Sequence, residues 1–305
     1  VARILPSHYF HVVFTLPAEL RDLVHRNRKL LFDLLFKAAS ETLLQLGKQR
    51  LGAMLGITAM LHTWTRQMSF HPHVHCVVSG GGLASDGSSW IESSKDYLFP
   101  HLVLSRLFRG KFLAGLAQLY EQGALDVGGA CQALAECDVF RLFKDRLYRK
   151  DWVVYAKPPF ASPKEVYRYL GRYTHRIAIS NNRLEAIDDH TVRFQTKHGK
   201  TTTLSHEEFI RRFLLHVLPR GFHKIRHYGL LASGNVKTKL ALARRLLGMP
   251  AEADAASTAT VSWQEWLLRL SGVDPSRCPQ CRVGSLMRRP LTDTTPRSPP
   301  STRAA

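Results

Sequence analysis

At 305 residues, 45% of them hydrophobic, the chain can bury one large core or two modest ones, and its composition excludes a disordered or fibrous protein. Lys and Arg number 43 against 24 Asp and Glu, a formal charge of +19, so nucleic acid is the first partner to weigh against a basic protein that only repels itself. No run approaches the roughly 18 apolar residues of a membrane span, and no charged-then-apolar leader is visible, so a cytoplasmic location without a membrane partner is expected.

In chain order, Tyr9 to Leu16 reads as a short strand closed by Pro17, and Leu20 to Ala38 has the spacing of a long helix. Gly56 to Thr65 and His73 to Val78 read as two further strands. Gly80-Gly81-Gly82 and Asp86-Gly87 predict turns, followed by a hairpin around Trp90. Residues 101–149 are helical in pattern and basic, with Arg106, Arg109 and Lys111 among Leu and Phe, and Trp152 to Ala156 reads as a strand. Ser162-Pro163-Lys164-Glu165 combines a capping box with proline at the first helical position, which predicts a helix from Pro163.

Beyond it, Arg176 to Ser180, Arg183 to Ile187, Thr191 to Thr196 and Lys200 to Leu204 predict short strands with turns between them. A second capping box, Ser205 to Glu208, opens a helix that Pro219-Arg220-Gly221 ends. Phe222 to Tyr228 is a basic strand carrying Lys224 and Arg226, and Val236 to Leu247 is a basic helix. Ala251 to Thr260 reads as a linker, Ser262 to Glu265 as the start of a short helix, and Pro290 to Ala305 as a disordered tail. The five cysteines, Cys76, Cys131, Cys137, Cys278 and Cys281, are odd in number and mostly scattered, which suits reduced thiols.

His71-Pro72-His73-Val74-His75 leads into an apolar run. On a strand, side chains alternate, so all three imidazoles share a face and make half of a preformed metal site; hydrogen-bonded histidines at a strand start are the other reading. Tyr169 and Tyr173 stand four residues apart inside the helix predicted from Pro163, with Arg168, Arg172 and Arg176 beside them at the same spacing. A phenol near cations is a competent nucleophile; alternatively Val166, Leu170, Tyr173 and Ile177 form a core face and the arginines are solvated. Cys278-Pro279-Gln280-Cys281 resembles half of a zinc ribbon, with Zn²⁺ as its candidate ion.

Taken together, the Phe14-Thr15-Leu16 strand, HPHVHCVVSGGGL, YAKPPF, YLGRYTHRIAISNNRL and RHYGLLA resemble the two-tyrosine transposases of rolling-circle insertion sequences, within the HUH endonuclease superfamily. The resemblance runs from about Leu5 to Ala232. It implies an α+β fold whose antiparallel sheet is flanked by helices, with His73 and His75 on a central strand and a small β/α region added after it. It also implies Mg²⁺ or Mn²⁺, single-stranded DNA at transposon ends and target as partner, no small-molecule substrate, and a covalent 5′-phosphotyrosine formed by Tyr169 or Tyr173. His71 is the candidate third metal ligand. Members usually carry a cysteine-rich zinc module before the Phe-Thr-Leu strand, which this sequence does not display.

On that basis the chain divides into a nuclease core at 1–180 with a helical insertion at about 101–149, and a DNA-binding β-ribbon and helical extension at 181–250. A linker with the CxxC knuckle follows at 251–289, then the tail at 290–305. Arg106, Arg109, Lys111, Arg168, Arg172, Arg176, Lys224 and Arg226 are the expected phosphate contacts. Two alternatives stand beside the transposase: a plasmid replication initiator or relaxase with the same site, and a non-catalytic single-strand binding protein.

Overall fold

A computed structural model describes residues 3–160, Glu165, 178–197, 199–249 and scattered positions between 262 and 286. Val1–Ala251 form one compact unit, and Glu252–Ala305 a second. The helix expected from Pro163, with Tyr169, Tyr173, Arg168, Arg172 and Arg176, lies outside the described residues, as does the tail.

The first unit is α+β. Five strands form an antiparallel sheet: β1 (Tyr9–Thr15), β2 (Ala53–Trp64), β3 (Phe70–Ala84), β5 (Val154–Phe160) and β9 (Ile225–Gly229) lie in the order β5-β1-β3-β2-β9. The short β4 (Trp90–Glu92) pairs with the far end of β3. Helices α1 (Arg21–Arg26), α2 (Arg28–Leu46), α3 (His101–Glu121) and α4 (Cys137–Arg149) follow the apolar spacing of the sequence. β6 (Leu184–Ile187), β7 (Thr191–Gln195) and β8 (Thr201–Ser205) form a separate three-stranded sheet. It is followed by α5 (His206–Leu214), whose N-cap Ser205 Oγ accepts from Glu208 N as the capping box predicts, and later by α6 (Lys239–Leu246).

The alternation of β1 decides the layering. Phe10, Val12 and Phe14 are 1% exposed or less and join Ile57, Ala59 and Leu61 of β2 and Val74, Cys76 and Val78 of β3 in one core with the buried faces of α2 and α3. Phe14 meets Phe108 of α3 at 4.9 Å between ring centroids. Each such ring contributes about 1.5–3 kcal/mol by leaving water. The helices therefore cover one face of the sheet, and the alternate residues His11, His73 and His75 stand on the other.

Three features depart from the sequence reading. Gly80-Gly81-Gly82 is not a turn: β3 continues to Ala84, because a Cβ on Gly82 would lie 2.5 Å from the Met54 carbonyl oxygen and one on Gly81 2.6 Å from that of Ile91. These glycines permit close strand approach, and the reversal falls at Gly87, where φ is +77°. In the strand expected at Arg176 to Ser180, the described Ala178 to Ser180 is irregular backbone, with Ala178 left-handed at φ 56°. Finally, β9 comes from the segment read as an extension, yet it pairs with β2 from Gly56↔Gly229 to Met60↔Ile225 and forms an edge of the main sheet.

Candidate metal centre

The β2–β3 hairpin sets the site. At its tip, Thr65 Oγ1 accepts the backbone N–H groups of Gln67 and Ser69, both at 3.2 Å, and Met68 is left-handed at φ 59°. The buried His216 clamps this turn: its Nε2–H donates to the Met68 carbonyl at 3.1 Å and its Nδ1 accepts from Thr63 Oγ1 at 3.2 Å. The resulting register places His62 opposite His73, and Met60 opposite His75.

His62, His73 and His75 each bring one ring nitrogen to within 4.8 Å of the others. The ring of His62 lies 4.3 Å from that of His75 and 5.5 Å from that of His73, and the latter two are 4.8 Å apart. His73 Nδ1 donates to the His71 carbonyl at 2.6 Å, which leaves the Nε2 lone pair for a cation. Burial, then His73, Lys224 and His11, push the His62 pKa down to about 2. Burial lowers that of His73 to about 4 against the opposing effect of its bond to His71. Both are neutral at pH 7 and able to ligate. Three nitrogens around a divalent ion stand roughly 3 Å apart at metal–nitrogen distances near 2.1 Å, so a small closing of the rings makes the donor set fit.

His11 and Trp64 support this cluster. His11 Nε2 lies 2.8 Å from His75 Nδ1 with the rings stacked at 10°, so when His75 Nδ1–H donates there, its other nitrogen points away to coordinate. Trp64 stacks on His62 at 4.9 Å, and the Lys224 ammonium sits 5.0 Å above the Trp64 ring, its pKa lowered by burial.

The sequence-derived site residues distribute unevenly. His73 and His75 lie in the cluster; His71, half-buried and 5.4 Å from the His73 ring, contributes its carbonyl, and His62 takes the third place. Neither His62 nor His11 was singled out by sequence, although both stand in recognised strand runs; the missing signal was the cross-strand register. Of the basic residues, Lys224 is beside the cluster. Arg226 pairs with Asp33 and stacks on Phe36 and Phe222, 4.5 and 4.8 Å from their centroids, on the helix-covered face. Arg106, Arg109 and Lys111 belong to α3, also on that face; Arg109 donates to the Lys150 carbonyl at 2.5 Å, and Lys111 lies 3.7 Å from Glu41.

In the second unit, Cys278 N–H donates to the Gly284 carbonyl at 2.7 Å, and Gly284 N–H donates to Cys281 Sγ at 3.3 Å. Backbone N–H groups of Gly284 and Val283 lower the Cys281 pKa, as a thiolate knuckle requires. Among the described residues no third ligand joins the pair.

An antiparallel sheet thus presents three clustered imidazoles, a donor set able to hold a divalent metal, on a chain of net charge +19. The chain belongs to the Y2_Tnp family of transposases, described as "Putative transposase", whose profile matches residues 56–239. It is 46% identical over 294 residues to the "Putative transposase y4qJ" of Sinorhizobium fredii (strain NBRC 101917 / NGR234), covering 94% of this chain and 74% of that protein. It is 32% identical over 282 residues to the "Transposase for insertion sequence element IS801" of Pseudomonas savastanoi pv. phaseolicola, covering 89% of this chain and 65% of that protein, just under two thirds. A solved structure of TrwC complexed with a 27-mer DNA aligns with 79% of this chain and 74% of that chain at 12% identity and a TM-score of 0.30, a likeness too loose to bear on the site. No helix among the described residues is long and apolar enough to cross a membrane.

Proposed function

We propose that this transposase nicks and rejoins single-stranded DNA at transposon ends, with the scissile phosphate lying over His62, His73 and His75 and with Tyr169 or Tyr173 as nucleophile. The observation that carries the reading is the convergence of three imidazoles from two adjacent strands. A divalent ion held there supplies Lewis-acid polarisation of the phosphate. Three nitrogen donors without a carboxylate favour Mn²⁺ over Mg²⁺, since Mg²⁺ prefers oxygen ligands.

The chain's own groups do the rest. The phenol oxygen attacks phosphorus, the 3′ oxygen leaves and takes up a proton, and the strand remains joined to tyrosine through its 5′-phosphate; attack by a 3′-hydroxyl reverses the exchange. Lys224, half-buried over Trp64, is placed to neutralise a phosphate near the imidazoles. The knuckle of Cys278 and Cys281 is a candidate half-site for Zn²⁺, to be completed by ligands beyond the described residues.

The test is incubation with a labelled single-stranded oligonucleotide and Mn²⁺, followed by a denaturing gel. A slowed covalent band is expected, lost in the Tyr169→Phe/Tyr173→Phe double variant while binding persists. An adduct surviving in that variant would overturn the nucleophile, and binding without cleavage in the parent protein would favour the single-strand binding reading.

A further inference from the structure

A second basic feature lies at the end of the sheet where β3 begins. Arg21, Asp22 and His25 of α1, Ser69 and Phe70 at the start of β3, and Arg211, Arg212 and Leu215 after β8 line a cleft of about 320 Å³. Phe70 forms its floor: it is 8% exposed, meets His25 edge-on at 5.8 Å, and has the Arg28 guanidinium 5.9 Å from its ring centre.

The charges in this cleft are only partly matched. Glu208 holds Arg211 through Nε and Nη2, at 2.6 and 2.8 Å, and Arg212 through Nε at 2.6 Å, while Arg212 Nη1 donates to the Gln67 carbonyl. Arg211 Nη1 and Arg212 Nη2 are left over from these bonds. Arg21 makes no ion pair with a described residue. Three guanidinium groups thus face two carboxylates, Asp22 and Glu208, with the cations of Arg26 and Arg28 close by. The His25 pKa registers this field: burial lowers it first, Arg28, Arg26 and Arg211 lower it further, and Asp22 alone opposes them.

The cleft is adjacent to the imidazole strand. Phe70 immediately precedes His71 on β3. At roughly 3.3 Å per residue, Phe70 and His73 are about 10 Å apart along β3; Phe70 packs into the core on the helix-covered face and His73 stands on the other, so a strand of nucleic acid joining the cleft to the imidazoles passes round the hairpin end of the sheet.

We propose that this cleft seats a backbone phosphate of the single-stranded DNA, a few nucleotides from the phosphate over the imidazoles as the strand rounds the hairpin end of the sheet, with Arg21 and Arg211 as its cationic partners. The proposal rests on the DNA-nicking reading and adds the direction in which the strand leaves the centre. Its Arg-rich, planar-donor chemistry suits a phosphodiester, and the neutral His25 can add a hydrogen bond. A free phosphate lacks the connected backbone that lets a strand engage the cleft and the imidazole face together, so it competes only weakly.

The experiment measures binding of a labelled single-stranded oligonucleotide by fluorescence anisotropy between 50 and 200 mM salt. Each cation withdrawn from a phosphate makes the slope of log affinity against log salt shallower by about 0.7. For Arg21→Gln/Arg211→Gln, which withdraws two, the drop in affinity across that range should be about 7-fold smaller than for the parent protein. Asp22→Asn should act oppositely and tighten binding, which guards against a trivial folding effect. The Mn²⁺-induced rise in melting temperature should be unchanged in all three proteins, and 10 mM inorganic phosphate should compete weakly. A parent-like slope in Arg21→Gln/Arg211→Gln, or strong competition by inorganic phosphate, would overturn the strand assignment while leaving the nicking reading intact. A parent protein that fails to bind the oligonucleotide would sink both.

Discussion

Replacing His62 by alanine tests the centre directly. If Mn²⁺ is added at about 100 times its dissociation constant, it stabilises the parent protein by about 2.7 kcal/mol. For a folding unit of the size of Val1–Ala251, at about 2–4 °C per kcal/mol, that is a rise of about 5–11 °C. His62 supplies one of three nitrogens, and losing a direct ligand should cost at least the roughly 100-fold that loss of an outer partner can cost. The same Mn²⁺ concentration is then at or below the variant's dissociation constant, and the stabilisation falls to about 0.4 kcal/mol or less, at most about 1–2 °C. The measurement is a thermal melt followed by fluorescence with and without Mn²⁺, using metal-free protein of each kind as its own baseline. A variant that keeps the full rise, while His71→Ala loses it, would refute the assignment of His62 and return the third place to His71.

His11→Ala should lower Mn²⁺ affinity by about 10–100-fold by releasing His75 Nδ1, read from the midpoint of a metal titration; an unchanged midpoint would remove His11 from the supporting role. Acid should destabilise the fold through His216, whose pKa burial lowers to about 4 from an ordinary 6.5. Because the unfolded chain takes up the proton first, the stability this neutral imidazole contributes is present above pH 6.5. It is lost progressively as pH falls to about 4, by on the order of 3 kcal/mol. Urea midpoints against pH should therefore flatten in His216→Gln, and an equally steep profile would contradict this. Gly229→Ala should weaken docking of β9 by about 2 kcal/mol or more, since φ is +60° and the new Cβ would collide with the Leu55 carbonyl oxygen; a melting temperature within about 2 °C of the parent would disprove the clash.

Much of the architecture is legible in local pattern. Short β-rich apolar runs located β1, β2 and β3, capping chemistry located α5, and the alternation of His71, His73 and His75 placed the candidate ligands on one face. The glycines of β3 misled because glycine marks turns and close strand approach alike, and only the position of Met54 and Ile91 distinguishes the two.

What the residues determine alone is therefore periodicity, charge and the kind of chemistry available: imidazoles in a row, paired phenols, an excess of cations. What waited for the tertiary structure is partnership across strands. His62 meets His73 only through the hairpin register held by Thr65, Met68 and His216, and Arg226 is withdrawn from solvent only because β9 turns it toward Asp33 and Phe36. A side chain's period is a property of its own segment, whereas its partner depends on register and layer, which long-range packing alone decides.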